Sequence, residues 1–219
     1  MKKVAVILSG CGVYDGTEIH EATSTLIALS MRGISYQCFA PNIMQHHVVN
    51  HLTGEEMEEQ RNVLVESARI ARGDIKEIGD FSAEIYDAVI FPGGFGVAKN
   101  LCDLAFKGAE CEVNEDIRKV ILWMVKEEKP IGALCISPAM IAKVLPHADL
   151  TIGQDQDTID VIEAMEGVHH KTKSCEVIVD EKYKLATTPC YMLDVSIAEV
   201  FQGALNIVDE IIQLWEEKK

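Results

Sequence analysis

The sequence is short of several things, and each shortage narrows what the chain can be. No stretch of its 219 residues approaches the ~18 consecutive apolar residues of a membrane helix. The apolar opening, Val4–Leu8, is shorter than the roughly 7–15-residue core of a secretory leader and reads better as a first buried strand. Cysteine occurs seven times, an odd number, and never as a Cys-x-x-Cys pair, which argues against a disulfide framework. A reducing, cytoplasmic setting is expected, in which a single thiol can act as a nucleophile. Basic residues are scarce, 20 against 35 acidic, for a net charge of −15. A field of that sign repels phosphate backbones and anionic lipid, so neither nucleic acid nor a membrane surface is expected as a partner. No repeat, low-complexity tract or Pro/Gly/Ser linker interrupts the chain, and residues 1–219 are expected to form a single domain.

What is present alternates between strand-like and helix-like stretches. Lys2–Leu8, Ser35–Ala40, Asp87–Phe91 and Pro130–Leu134 read as buried strands, and Glu176–Asp180 with Leu185–Thr188 as a hairpin about 181–184. Helical spacing marks Thr17–Arg32, Glu55–Arg72, Asn114–Glu128, Ser137–Val144 and Asp194–Glu217, the last with Asp194 as a candidate cap, while Asn42–Gly54 reads as loop. Such alternation predicts an α/β sandwich, a mainly parallel sheet with helices on both faces.

Ligands of open α/β sheets bind at the carboxyl ends of the strands. Three chemically unusual loops fall there: Ser9–Gly16, Pro92–Gly96 and Leu134–Pro138. Apolar Ile131–Leu134 runs straight into Cys135, and Ser137-Pro138 opens a helix, so Cys135 is expected on a strand-to-helix elbow. The positive end of that helix favours thiolate over thiol, and the Ile136 N–H can face a developing oxyanion. Gly93 or Gly94 can supply a second donor. Glu18 and Glu21 lie in the first turns of the first helix. There they complement its dipole, and a carboxyl beside a thiolate would hold its proton. Gly10, Gly12 and Gly16 fall one residue off a dinucleotide fingerprint. No Asp or Glu follows between Glu21 and Glu55 to bind a ribose, so no nucleotide cofactor is expected. His47 and His51 have metal-ligand spacing but lie in a loop-like segment with no acidic third ligand, so no metal is expected. His20 adjoins the presumed site, and Tyr191 and Cys190 can line it.

These motifs together resemble the enhancing-lycopene-biosynthesis protein 2 family, isoprenoid biosynthesis proteins with an amidotransferase-like domain. The resemblance runs through Ser9–Gly16, Glu18–Glu21, His51–Gly54, Arg61–Leu64, Pro92–Gly96, Ala98–Leu101, Cys135–Met140 and Thr187–Met192. It implies the flavodoxin-like three-layer sandwich of the PfpI, protein-deglycase and class I glutamine-amidotransferase-like superfamily, commonly dimeric. It also implies a nucleophilic Cys135, a protonated Glu21 hydrogen-bonded to it, and oxyanion donors at Gly94 and Ile136, with Gly93 beside them. Glu18, His20, Cys11, Asn100, Thr188 and Tyr191 are expected around the pocket. One departure stands out. The protease branch places a histidine directly after the cysteine, and here that residue is Ile136, so neither peptidase nor glutamine amidotransferase chemistry is favoured.

The activity the resemblance implies is that of a cofactor-free glyoxalase III-type lyase, turning 2-oxoaldehydes such as methylglyoxal and glyoxal into hydroxy acids through a Cys135 hemithioacetal. The expected partners are a small aldehyde and a second copy of the chain. The alternative is a non-catalytic regulatory protein that binds a metabolite or senses oxidants through Cys135.

Overall fold

The computed structural model describes residues 2–216. Seven strands form one sheet in the order β3-β2-β1-β4-β5-β9-β8. They are β1 (Lys3–Ile7), β2 (Ser35–Ala40), β3 (Ile75–Glu77), β4 (Ala88–Phe91), β5 (Ile131–Leu134), β8 (Ile178–Asp180) and β9 (Leu185–Thr188). All neighbours run parallel except β8, which pairs antiparallel with β9 as a hairpin. β6 (Asp149–Leu150) and β7 (Val168–His169) make a small parallel pair of their own. The architecture is the flavodoxin-like sandwich expected from the sequence.

The central strands are apolar without a break because both faces are covered. Side chains alternate across a strand. On β1, Val4 and Val6, with Leu8 just after the strand, therefore enter one core while Ala5 and Ile7 enter the other, and on β4 Ala88 and Ile90 oppose Val89 and Phe91. The first core is closed by α1 (Ile19–Met31), α2 (Val63–Ile70) and α7 (Ile197–Glu216), and the second by α4 (Glu115–Lys126), α5 (Ser137–Val144) and α6 (Gln156–Ala164). A short α3 (Leu104–Lys107) follows a π-type turn at Val97–Leu101. Each fully buried Ile or Leu in these layers contributes about 1.5–3 kcal/mol of apolar transfer. At Gly132 on β5 a Cβ would lie 2.8 Å from Ile207 Cγ2, so α7 packs directly on bare backbone there.

Several boundaries differ from the sequence expectation, for identifiable reasons. The helix expected over Glu55–Arg72 begins only at Val63, where the Asn62 side chain accepts the Val65 N–H. The preceding stretch holds Glu55, Glu56, Glu58 and Glu59, whose like charges at helical spacing oppose a helix. It runs exposed instead, tied back by isolated bridges from Val49 to Glu56 and from Met44 to Asn62. The last helix starts at Ile197 rather than at Asp194. Ser196 and Glu199 cap it reciprocally: Glu199 Oε2 accepts the Ser196 N–H at 2.9 Å, and Ser196 Oγ accepts the Glu199 N–H at 3.3 Å. The expected end of that helix, Glu217, lies outside the described residues. β3, α6 and the β6–β7 pair are elements that sequence patterning did not mark.

Removing that cap is expected to cost about 1 kcal/mol. In a domain of this size, Ser196→Ala should lower the melting temperature by about 2–4 °C in a calorimetric scan.

Candidate active site

β5 ends at Leu134, α5 begins at Ser137, and Cys135 occupies the corner between them. Its φ is +59°, a left-handed conformation that costs a residue with a Cβ about 1–2 kcal/mol. The corner is held from both sides: the Cys135 N–H donates to Thr188 O at 3.0 Å, and Ser137 Oγ donates to Pro92 O at 2.9 Å. The thiol is nearly enclosed, at 7% exposure.

Glu21, on the first turn of α1, is fully buried against it. Its Oε2 accepts the Gly93 N–H at 2.8 Å, its Oε1 accepts the Tyr191 N–H at 3.3 Å, and its carboxyl hydrogen-bonds the Cys135 side chain. Gly93 has no alternative at its position. A Cβ there would lie 2.5 Å from Cys135 Cβ and 2.7 Å from Glu21 Oε2. At Gly94, φ is +100° and a Cβ would meet the Glu18 nitrogen and Gly16 oxygen at 2.4 Å, so the loop after β4 lies backbone-to-backbone on the loop after β1.

Burial and the neighbouring Glu18 carboxylate push the Glu21 carboxyl up to about 8, against the smaller opposing pull of its hydrogen bonds to Cys135, Gly93 and Tyr191. Burial, followed by the charge of Glu21, also raises Cys135 well above an ordinary thiol, while the N–H groups of Gly94 and Ile136 act on its sulfur in the opposite sense. The sequence predicts that the helix end favours the thiolate over the thiol. The two N–H groups do so, but desolvation and the adjacent acid outweigh them. A pocket this dry accommodates one negative charge between the two acids, not two, and they titrate as a unit.

The other residues expected at the pocket divide. Glu18 caps α1, accepting the Glu21 N–H at 2.7 Å. His20 and Tyr191 meet at its edge, with Nδ1 and the hydroxyl 2.8 Å apart. Thr188 belongs to the scaffold, its Oγ1 donating to Glu176 O at 2.9 Å. Asn100 is also a brace: its amide donates to Ser9 O and Asp15 O at 2.9 Å, and its carbonyl accepts the His46 N–H. Cys11 sits elsewhere, among Glu66, Arg69, Asp15 and Arg61, with burial first among the causes raising its pKa. Cys190 is buried, held at φ +40°, and raised well above an ordinary thiol by burial and then by Glu21. His51 anchors the first loop: Nε2 accepts the Tyr14 N–H at 3.2 Å, which leaves Nδ1–H to donate to Val49 O at 3.0 Å. His47 lies 3.9 Å from a Glu56 carboxylate oxygen and against the His46 ring.

No family model matches the chain. It is 43% identical to the human mitochondrial glutamine amidotransferase-like class 1 domain-containing protein 3, over 97% of this chain and 83% of the human one. The chain belongs to that family. ES1 proteins of rat and zebrafish, both described as mitochondrial, are further relatives, at 42% and 34% identity over 97% and 96% of this chain and 84% and 85% of theirs. A crystal structure of an isoprenoid biosynthesis protein with amidotransferase-like domain from Ehrlichia chaffeensis superimposes with a TM-score of 0.92 at 34% identity, covering 98% of this chain and all of that one. A DJ-1 superfamily protein from Salmonella typhimurium shares the fold, with a TM-score of 0.60 at 21% identity over 99% and 96% of the two chains. In this amidotransferase-like family member the elbow cysteine faces a glutamate from α1, and the residue after it, Ile136, brings only a backbone N–H.

The Glu21 shift fixes the sign of a pH dependence. Unfolded, the group ionises near 4.5, and folded near about 8, so between those values the native state binds more protons. Its contribution to stability is complete below pH 4.5 and falls as pH rises through about 8, by at most about 1.4 kcal/mol per pH unit. Chemical denaturation at pH 5 and pH 8 should show Glu21→Gln gaining on the wild type at the higher pH. Parallel curves would mean that Glu21 titrates as an ordinary carboxylate.

Proposed function

We propose that the chain is a cofactor-independent lyase that converts 2-oxoaldehydes such as methylglyoxal and glyoxal to hydroxy acids. The observation that carries the reading is the buried pairing of Cys135 with Glu21 under the N–H groups of Gly94 and Ile136. In this reading the ionised Glu21 carboxylate takes the thiol proton as the Cys135 sulfur adds to the aldehyde carbon and passes it to the new oxygen, which gives a hemithioacetal and leaves Glu21 ready to act again as a base. The new oxyanion lies toward the Gly94 and Ile136 N–H groups, with Gly93 holding the carboxyl beside them. Glu21 takes the proton from the aldehyde-derived carbon and returns it to the neighbouring carbon, through an enediol, leaving a 2-hydroxy thioester. Water cleaves that thioester, so the balance is 2-oxoaldehyde plus water to 2-hydroxy acid, with the thiol restored.

A carboxyl raised to about 8 suits the proton transfer, since it is a competent acid and base near neutral pH. An aldehyde is electrophilic enough to need no histidine to activate the attacking group. The enclosure of Cys135 supports chemistry on a small substrate over oxidant sensing, which calls for an exposed thiol of low pKa. The proposal includes a homodimer and a cytoplasmic setting. Among the described residues no helix is long and apolar enough to cross a membrane. It also carries over, as a link without a chemical step, the isoprenoid biosynthesis named for the Ehrlichia relative.

The decisive assay follows methylglyoxal and glyoxal loss without glutathione, with lactate and glycolate measured as products. Cys135→Ala and Glu21→Gln should each lose more than about 100-fold in rate, the scale of a lost proton-transfer group. Equal inertness of all three proteins would sink the lyase and favour a metabolite-binding role.

A further inference from the structure

Beside the elbow lies an apolar hollow of about 220 Å³ that the chemistry above leaves unused. Phe95, Ala98, Leu104, Ile136 and Val161 form most of its wall, and only the first turn of α6 brings polar side chains to the rim. Two of those wall residues are tied to the reacting centre through the backbone. Ile136 carries one of the N–H groups that act on the Cys135 sulfur, and Phe95 directly follows Gly94, which carries the other. The hollow is therefore built from the same two turns that hold the sulfur. Phe95 is left half exposed, at 50%, above buried Ala98 and Leu104. Uncovered apolar surface of this kind gains about 25 cal/mol for each Å² an apolar ligand removes from water.

We infer that this hollow is the pocket for the substrate's side chain, and that the preferred substrates are 2-oxoaldehydes carrying an apolar group of about six carbons. Apolar cavities of roughly 150 Å³ take up benzene, so a hollow of this size suits a hexyl or phenyl group and leaves a methyl group largely unsupported. The inference rests on Cys135 as the reacting thiol. It deepens the lyase reading by naming what the electrophile carries.

Two measurements separate the pocket from the chemistry. The first compares kcat/KM for 2-oxoaldehydes bearing methyl, butyl and hexyl groups. The second compares the rate at which iodoacetamide and N-hexyl iodoacetamide alkylate Cys135, read by peptide mass spectrometry, which needs no turnover. Both are repeated in Ala105→Phe and Val161→Phe, which narrow the hollow; Ala105 is exposed, so that variant keeps the test open where Val161→Phe does not fold. The hexyl compounds should be favoured at least tenfold in both measurements, since each buried methylene is worth about fourfold, and each of the two variants should level the preference by slowing the hexyl compounds. Tail preference in alkylation with no turnover of any aldehyde would overturn the lyase and uphold the pocket. Alkylation rates indifferent to the hexyl group, or a preference that survives both variants, would overturn the pocket.

Discussion

A single buried carboxyl holds the functional end of this fold together. Glu21 reaches from α1 to three other segments at once: the Gly93 N–H after β4, the Tyr191 N–H after β9, and the thiol on the elbow after β5. Each segment leaves the carboxyl end of a parallel strand. Removing a carboxylate from water is costly. The fold offsets that cost with two backbone donors and by letting the group keep its proton near neutral pH.

That arrangement explains why an acid at this position is compatible with a nucleophile. Two ionised groups in contact inside a dry pocket repel strongly, so each favours its protonated form and the pair carries at most one negative charge. The strain at Cys135 belongs to the same design. A left-handed cysteine directs its sulfur off the strand, toward the N–H groups of Gly94 and Ile136, and the sheet's own hydrogen bond to Thr188 holds it there. The glycines at 93 and 94 are equally constrained, because a side chain at either would occupy space already held by Cys135, Glu21 or the first loop.

The parts of this structure that were legible in the sequence share one property: they are dictated locally. Uninterrupted apolar runs at residues 4–8, 88–91 and 131–134 read as strands covered on both faces, and Leu134-Cys135 followed by Ser137-Pro138 reads as a tight exit into a helix. Glu21 could be placed beside Cys135 through the family resemblance. What stayed hidden depends on contacts distant in the chain. β6 and β7 have two residues each and pair across α6, too short for any periodicity to register. Asn100 is expected at the pocket only through the family resemblance, yet it spends its amide bridging Ser9 and Asp15. The start of α2 was misread because acidic residues before Asn62 have good helix propensity singly and repel one another in company.

The excursion between β2 and α2 is fixed mainly through polar contacts that involve main-chain atoms. The Asp15 carboxylate accepts the Val49 N–H, Asn100 accepts the His46 N–H, and His51 grips the Tyr14 N–H. Residues 52–60 meanwhile leave their side chains in water. A segment anchored in this way can exchange its outward side chains freely while its path stays the same. Substitutions at the exposed residues 55–60 can thus change the chemistry of this rim, and with it what the molecule meets in its surroundings, without disturbing the acid and thiol beneath.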